Sequence, residues 1–152
     1  MYTTNPTQYG FVYRSTPDHY LDKLPVVRWL ARIPAIESAM RASIGFVRPP
    51  YGAEDAADFY IDEASYGTEV LTRTSLAGVT TITQTGITFD STSYHLFEVR
   101  LDPTQALFYL NGSFVSQHTT NLPTSPTSVG FFLESDSDPV VIYVDALEDY
   151  SY

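Results

Sequence analysis

The chain has 152 residues, no cysteine, and 18 acidic against 8 basic side chains, a formal charge of −10. That length is enough for one domain with its own core, without disulfides or a thiolate metal site. A surface this acidic repels phosphate backbones and anionic lipid, which argues against nucleic-acid and membrane-surface roles.

The opening MYTTNPTQYGFVYRST carries neither the basic nor the apolar stretch of a signal peptide, so folding in the cytoplasm is expected. It is rich in tyrosine (Tyr2, Tyr9) but has little core-forming periodicity. Between Pro25 and Pro34, VVRWLARI starts with β-branched residues and is bracketed by prolines, which favours a strand with Trp29 in the core. Ser38 to Val47 alternates, with Met40, Ala42, Ile44 and Phe46 on one face. A further strand spans Asp58 to Glu63, with Phe59 and Ile61 on one side and Asp58, Tyr60 and Asp62 on the other. Glu69 to Ser75 and Val79 to Thr85 form a pair divided near Ala77-Gly78.

The clearest pattern is YHLFEVRLDPTQALFYLNGSFVSQ, residues 94 to 117. Asp102-Pro103-Thr104-Gln105 is a turn and Asn111-Gly112 a type I′ hairpin turn, so three strands form a meander. The register sets Leu101 against Ala106, Val99 against Phe108, Phe97 against Leu110, Leu110 against Ser113 and Phe108 against Val115. One face of the meander is then built for a core. The other carries Leu96, Glu98, Arg100, Leu107, Tyr109 and Phe114, too apolar for free solvation, so either the chain itself or a partner covers it. Val129 to Glu134 and Val140 to Leu147 are the last strands, separated by the acidic loop Ser135–Pro139. The end, ALEDYSY, holds Tyr150 and Tyr152. One domain over residues 1–152 is expected, with short arms at about 1–8 and 148–152 that supply no core strand.

Chemistry is sparse. The carboxylates of EDAAD (54–58) and of Asp62 and Glu63 are expected at the solvated surface. His95 lies at a strand start on the core face, where a buried structural role fits; His19 and His118 fall near loops without an identifiable partner. Ser135–Asp138 gathers hard oxygen ligands, yet lacks the spacing of a calcium loop. No Ser-His-Asp spacing and no glycine-rich phosphate loop occurs, and no cofactor is expected. Tyr51, Tyr60, Asp62 and Tyr66 are the candidates for a glycan surface, because sugars stack on flat rings.

Tyr94-His95 with its strand, Asp102-Pro103, ALFYLNGSFV, LPTSPTSVGFFLES and VVIYVDALED together resemble the concanavalin A-like lectin and glucanase superfamily, LamG-like domains included, over residues 90 to 149. SAMRASIGFV and DFYIDE are similar to its earlier strands. The resemblance implies an all-β, two-sheet antiparallel jelly-roll sandwich with one concave face. It implies no single activity, since that fold serves lectins, glycosidases, lyases, adhesion modules and phage structural proteins. Its retaining glucanases carry E-x-D-x-x-E on one strand, a pattern absent here, and its lyases use His, Tyr, Arg and Gln on the concave sheet.

The resulting expectation is a non-enzymatic structural or interaction module, such as a virion surface protein (a phage capsid decoration or appendage subunit). It would act as a homo-oligomer or on capsid partners through Leu96, Tyr109, Phe114, Tyr2, Tyr9, Tyr150 and Tyr152. A carbohydrate-binding module is the alternative, and a polysaccharide hydrolase or lyase comes third.

Overall fold

A computed structural model describes residues 2–3, 9–19, 24–36, 38–47, 55–124, 127–135 and 141–151. The strands are β1 (Tyr2–Thr3), β2 (Tyr9–His19), β3 (Pro25–Arg32), β4 (Arg41–Val47), β5 (Ala56–Asp62), β6 (Glu69–Leu76), β7 (Val79–Thr88), β8 (His95–Asp102), β9 (Gln105–Leu110), β10 (Ser113–His118), β11 (Thr127–Glu134) and β12 (Val141–Ser151), with one helical turn, α1 (Glu63–Tyr66), after β5. They form two antiparallel sheets, ordered β1-β12-β3-β8-β9-β10 and β2-β11-β4-β5-β6-β7. The fold is the expected all-β jelly-roll sandwich.

The core lies between the sheets because each strand turns its apolar alternates inward. Trp29, Phe97 and Phe108 come from one sheet, and Phe46, Phe59 and Phe131 from the other. Phe59 meets Phe97 and Phe108 edge-on at 5.2 and 5.5 Å, and Trp29 meets Phe131 at 5.8 Å. Each such pair contributes about 0.5–1.5 kcal/mol beyond the area it buries.

The meander has the expected register between β8 and β9, from Phe97 opposite Leu110 to Asp102 opposite Gln105. Asn111 and Gly112 both have positive φ, +52° and +79°, as a type I′ turn needs. The next strand differs from expectation. A bulge between Phe114 and Ser116 sets Ser116, not Val115, opposite Phe108, and His118 opposite Ala106. One extra residue inverts which side chains face the core. Val115 stays partly buried, packed against the core, and Ser116 and His118 turn in with it.

His118 is therefore buried, contrary to its placement near a loop without a partner. Its Nδ1 is 2.9 Å from the Thr74 hydroxyl and its Nε2 3.0 Å from that of Thr72, which also meets Ser116 Oγ at 2.7 Å. These polar contacts tie β10 to β6 across the sandwich. His95 is half-buried rather than buried. Its Nε2 donates to the Asp90 carbonyl at 2.7 Å, and its Nδ1 lies 3.2 Å from the Asn111 amide.

Two boundaries also shift. Glu63 opens α1 instead of ending β5, because Asp62 caps that turn by accepting from Ser65 N at 3.3 Å. Glu148 to Ser151 are the end of β12, paired with Arg28 to Pro25 of β3, and not a free arm. Tyr2 pairs with Ile142.

Candidate functional site

Phe59 and Ile61 point into the core, so alternation sends Asp58, Tyr60 and Asp62 to the outer face of their sheet. The neighbouring strands present Arg41 and Ser43 from β4, Glu134 from β11 and Arg73 from β6 on the same face. At one level of the sheet the ladder runs Tyr9, Glu134, Arg41, Asp62 across four strands.

Beneath this row lies an ion pair. Asp58 is 0% exposed, and Arg73 grips its carboxylate with Nε at 2.9 Å and Nη2 at 2.5 Å. Arg73 Nη2 also donates to Ser43 Oγ at 3.0 Å, and the guanidinium carbon stands 4.3 Å from the centre of the Tyr60 ring. Burial pushes the Asp58 carboxyl up, against the pull of Arg73 and Ser43. Burial also works against the charge of Arg73, but Asp58 outweighs it and the guanidinium is raised. The expectation that EDAAD is solvated surface thus fails at Asp58, because β5 begins at Ala56 and carries it into the sheet. Asp55 is buried too and accepts from Ala77 N at 3.0 Å. Glu54 lies outside the described residues.

Above the pair Tyr60 and Glu134 are half-buried, and Asp62 is buried rather than at the solvated surface where it was expected, because it faces Tyr60 and caps α1. Tyr60 OH donates to Asp62 Oδ2 at 3.3 Å. Burial, then the nearby Asp62 charge, pushes that phenol up to about 12, so it remains a donor at neutral pH. Asp62 also accepts from Ser65 Oγ at 3.0 Å, and Arg41 Nε lies 3.7 Å from it. Arg41, about half exposed, reaches Glu134 with Nη1 at 3.4 Å. Tyr66 stands exposed on α1, the helical turn that Asp62 caps. Tyr60 and Asp62 are therefore brought together, no contact joins Tyr66 to them among the described residues, and Tyr51 lies outside the described residues.

On the other sheet, Phe114 is 58% exposed and meets half-buried Tyr109 edge-on at 5.7 Å. Leu96 is half-buried on the same outer face, and Arg100 lies 4.5 Å over the Tyr109 ring. Arg28 bridges Glu98 and Glu148 there, and Arg100 bonds Glu98 at 2.5 Å. Tyr150 pairs with Val26 on this sheet, and Tyr2 holds the β1 edge. Leu96, Tyr109 and Phe114 thus lie on the sheet opposite the Tyr60 cluster. Tyr152, Asp136 and Asp138 lie outside the described residues. Among the described residues no three carboxylate or imidazole groups come together as a metal site.

Sequence reasoning missed the Asp58–Arg73–Ser43 assembly, although the signal was present. Asp58 and Arg73 both sit at the outward alternates of strands, and a charge there needs a partner if a neighbour covers it.

No family model matches the chain, and no curated sequence matches it. Solved structures do. The Bacillus licheniformis β-glucanase superposes with a TM-score of 0.63 at 18% identity, over 86% of this chain and 67% of that one. The carbohydrate-binding module CBM66 from Bacillus subtilis gives 0.68 at 10% identity, over 98% and 86%. Sheep galectin-11 gives 0.55 at 12% identity, over 96% and 98%. At these identities what is shared is the architecture. The chain has the concanavalin A-like jelly-roll fold.

Proposed function

We propose that the chain is a non-enzymatic carbohydrate-binding module whose sugar-contacting surface is the outer face of β11, β4 and β5. The observation that carries this is the half-exposed Arg41, held between Glu134 and the buried Asp62 beside the Tyr60 ring. Planar carboxylate and guanidinium groups can take vicinal hydroxyls in pairs, and an aromatic face can stack on the C–H side of a sugar. The presence of a carbohydrate-binding module and a galectin among the similar folds supports the reading. Glycosidases share the fold as well, but Asp58 is enclosed by Arg73 and Asp62 is occupied by Tyr60 and Ser65, which leaves neither carboxylate placed for acid–base work. The test is a glycan array followed by titration calorimetry with neutral oligosaccharides. Arg41→Ala or Tyr66→Ala should weaken binding by about tenfold, the loss of one charged hydrogen bond or one stacked ring. An array without signal would sink the proposal, and turnover abolished by Asp62→Asn would replace it with an enzyme.

A second reading, a subunit of a virion surface or similar assembly, is favoured by the exposed Phe114 beside Tyr109 on the opposite sheet. Sedimentation analysis at rising concentration separates the two: assembly lost in Phe114→Ser supports the second, and a monomer at all concentrations opposes it.

A further inference from the structure

The arginines of this acidic chain are not all engaged alike. Arg28 faces Glu98 and Glu148, Arg41 faces Asp62 and Glu134, Arg73 faces Asp58, and Arg100 faces Glu98. Among the arginines whose side chains are described, Arg32, at the end of β3, is the exception. Among the described residues it has no carboxylate partner, and its Nε is buried without a hydrogen-bond acceptor. It is held instead by two rings. The guanidinium carbon lies 5.0 Å over Tyr143, its ladder neighbour on β12, and 5.6 Å over Tyr94, which immediately precedes β8. Tyr94 is 46% exposed.

We infer that Arg32, Tyr94 and Tyr143 form a second saccharide subsite, selective for a sugar that carries a carboxylate, a uronic acid; for the class of ligand this rests on the glycan-binding reading above. Cation–π contact holds the guanidinium in place without consuming its N–H donors. Nε is buried, so the side of the group open to a ligand is its Nη pair, whose N–H donors lie in a plane and form a fork that matches a carboxylate with two parallel bonds. The open Tyr94 ring beside it offers a face on which the pyranose can stack. A neutral sugar would leave the unpaired donors without the charge they complement. The net charge of −10 disfavours ligands with several charges per sugar, such as densely sulfated chains, relative to a uronate with a single carboxylate per sugar. The site lies on the sheet opposite to Tyr60, so the two are chemically and spatially separable.

The experiment is an NMR titration of ¹⁵N-labelled protein with oligogalacturonate, with neutral oligogalactose of equal length, and with a sulfated form of the neutral sugar. Oligogalacturonate should shift the Arg32 Nε–H and Tyr94 ring signals, and its affinity should fall by about tenfold or more in Arg32→Gln, with Arg32→Lys recovering part of the loss. Tyr94→Ala, at an exposed position, tests the same site should Arg32→Gln fail to fold. Neutral oligogalactose binding should respond to Arg41→Ala and ignore Arg32→Gln. Equal affinity for acidic and neutral sugars, no oligogalacturonate binding, or shifts confined to the Tyr60 face would each overturn the subsite while leaving the neutral-sugar result to judge the first proposal. Tighter binding of the sulfated than of the uronate form would overturn the choice of carboxylate.

Discussion

Gly45 lies directly opposite Asp58 in the β4–β5 pair, and a β-carbon on it would stand 2.8 Å from Asp58 Cα and 2.6 Å from the Ala57 carbonyl oxygen. Its φ of +152° is one that other residues rarely adopt. The glycine lets the two backbones close over the buried carboxylate. Gly45→Ala should therefore destabilise the fold by about 1–3 kcal/mol, the usual cost of overpacking a rigid site. Urea unfolding measures it, and a variant within error of the parent would show that the strands can part freely there.

Arg73 and Asp58 are paired with little access to water. Arg73→Met should cost about 3–5 kcal/mol, because the carboxyl is left in its pocket without a counter-charge. The double variant Asp58→Leu, Arg73→Met should recover most of that loss, since it removes the stranded group. If Arg73→Met alone proved neutral, the pair would contribute nothing that its neighbours do not already supply.

Most strands from Pro25 onward were legible because period-two alternation is a direct imprint of a half-buried sheet, whereas β2 (Tyr9–His19), in the stretch read as having little core-forming periodicity, was not. Phe97, Val99, Phe108 and Leu110 could be placed in register from two turns alone. The bulge at Val115 was not legible: nothing local distinguishes FVSQH from a regular strand, and only the Thr72 and Thr74 hydroxyls across the sandwich reveal why Ser116 and His118 point inward. The same holds for the candidate site. Tyr60 and Asp62 were visible as neighbours on one strand, but Arg41, Glu134 and Arg73 reach them only through strand order, which periodicity does not encode. Arg32 was hidden for the opposite reason, since the sign of its importance is a missing partner.

Phe114 and Tyr109 differ in exposure, which separates stability from association. Phe114→Ser should leave monomer stability within about 0.5 kcal/mol, as for most exposed positions. Thermal unfolding of the dilute monomer tests this. A large drop in melting temperature would mean that the Tyr109–Phe114 ring contact anchors the β9–β10 hairpin.

His118 gives the fold a pH dependence of fixed sign. Burial lowers its pKa below the ordinary 6.5, so between that value and its folded-state pKa the unfolded chain binds the extra proton and the folded chain does not. Stability then rises with pH across this window. The contribution is fully present above about 6.5, the unfolded value, and is lost as acid drives the pH down toward the folded one. Carboxylates act in a separate, lower window: Asp90, held down to about 2 by Thr92 and Ser93, loses its contribution only as pH falls from its ordinary 3.8 through that value. Comparing parent with His118→Gln by urea unfolding at pH 7.5 and pH 5.5 isolates the imidazole. The glutamine can still bond Thr72 or Thr74, and it does not titrate. The parent should lose more stability than the variant over that interval. Parallel losses in the two proteins would mean that the ring takes up its proton in the folded state as readily as in the unfolded one.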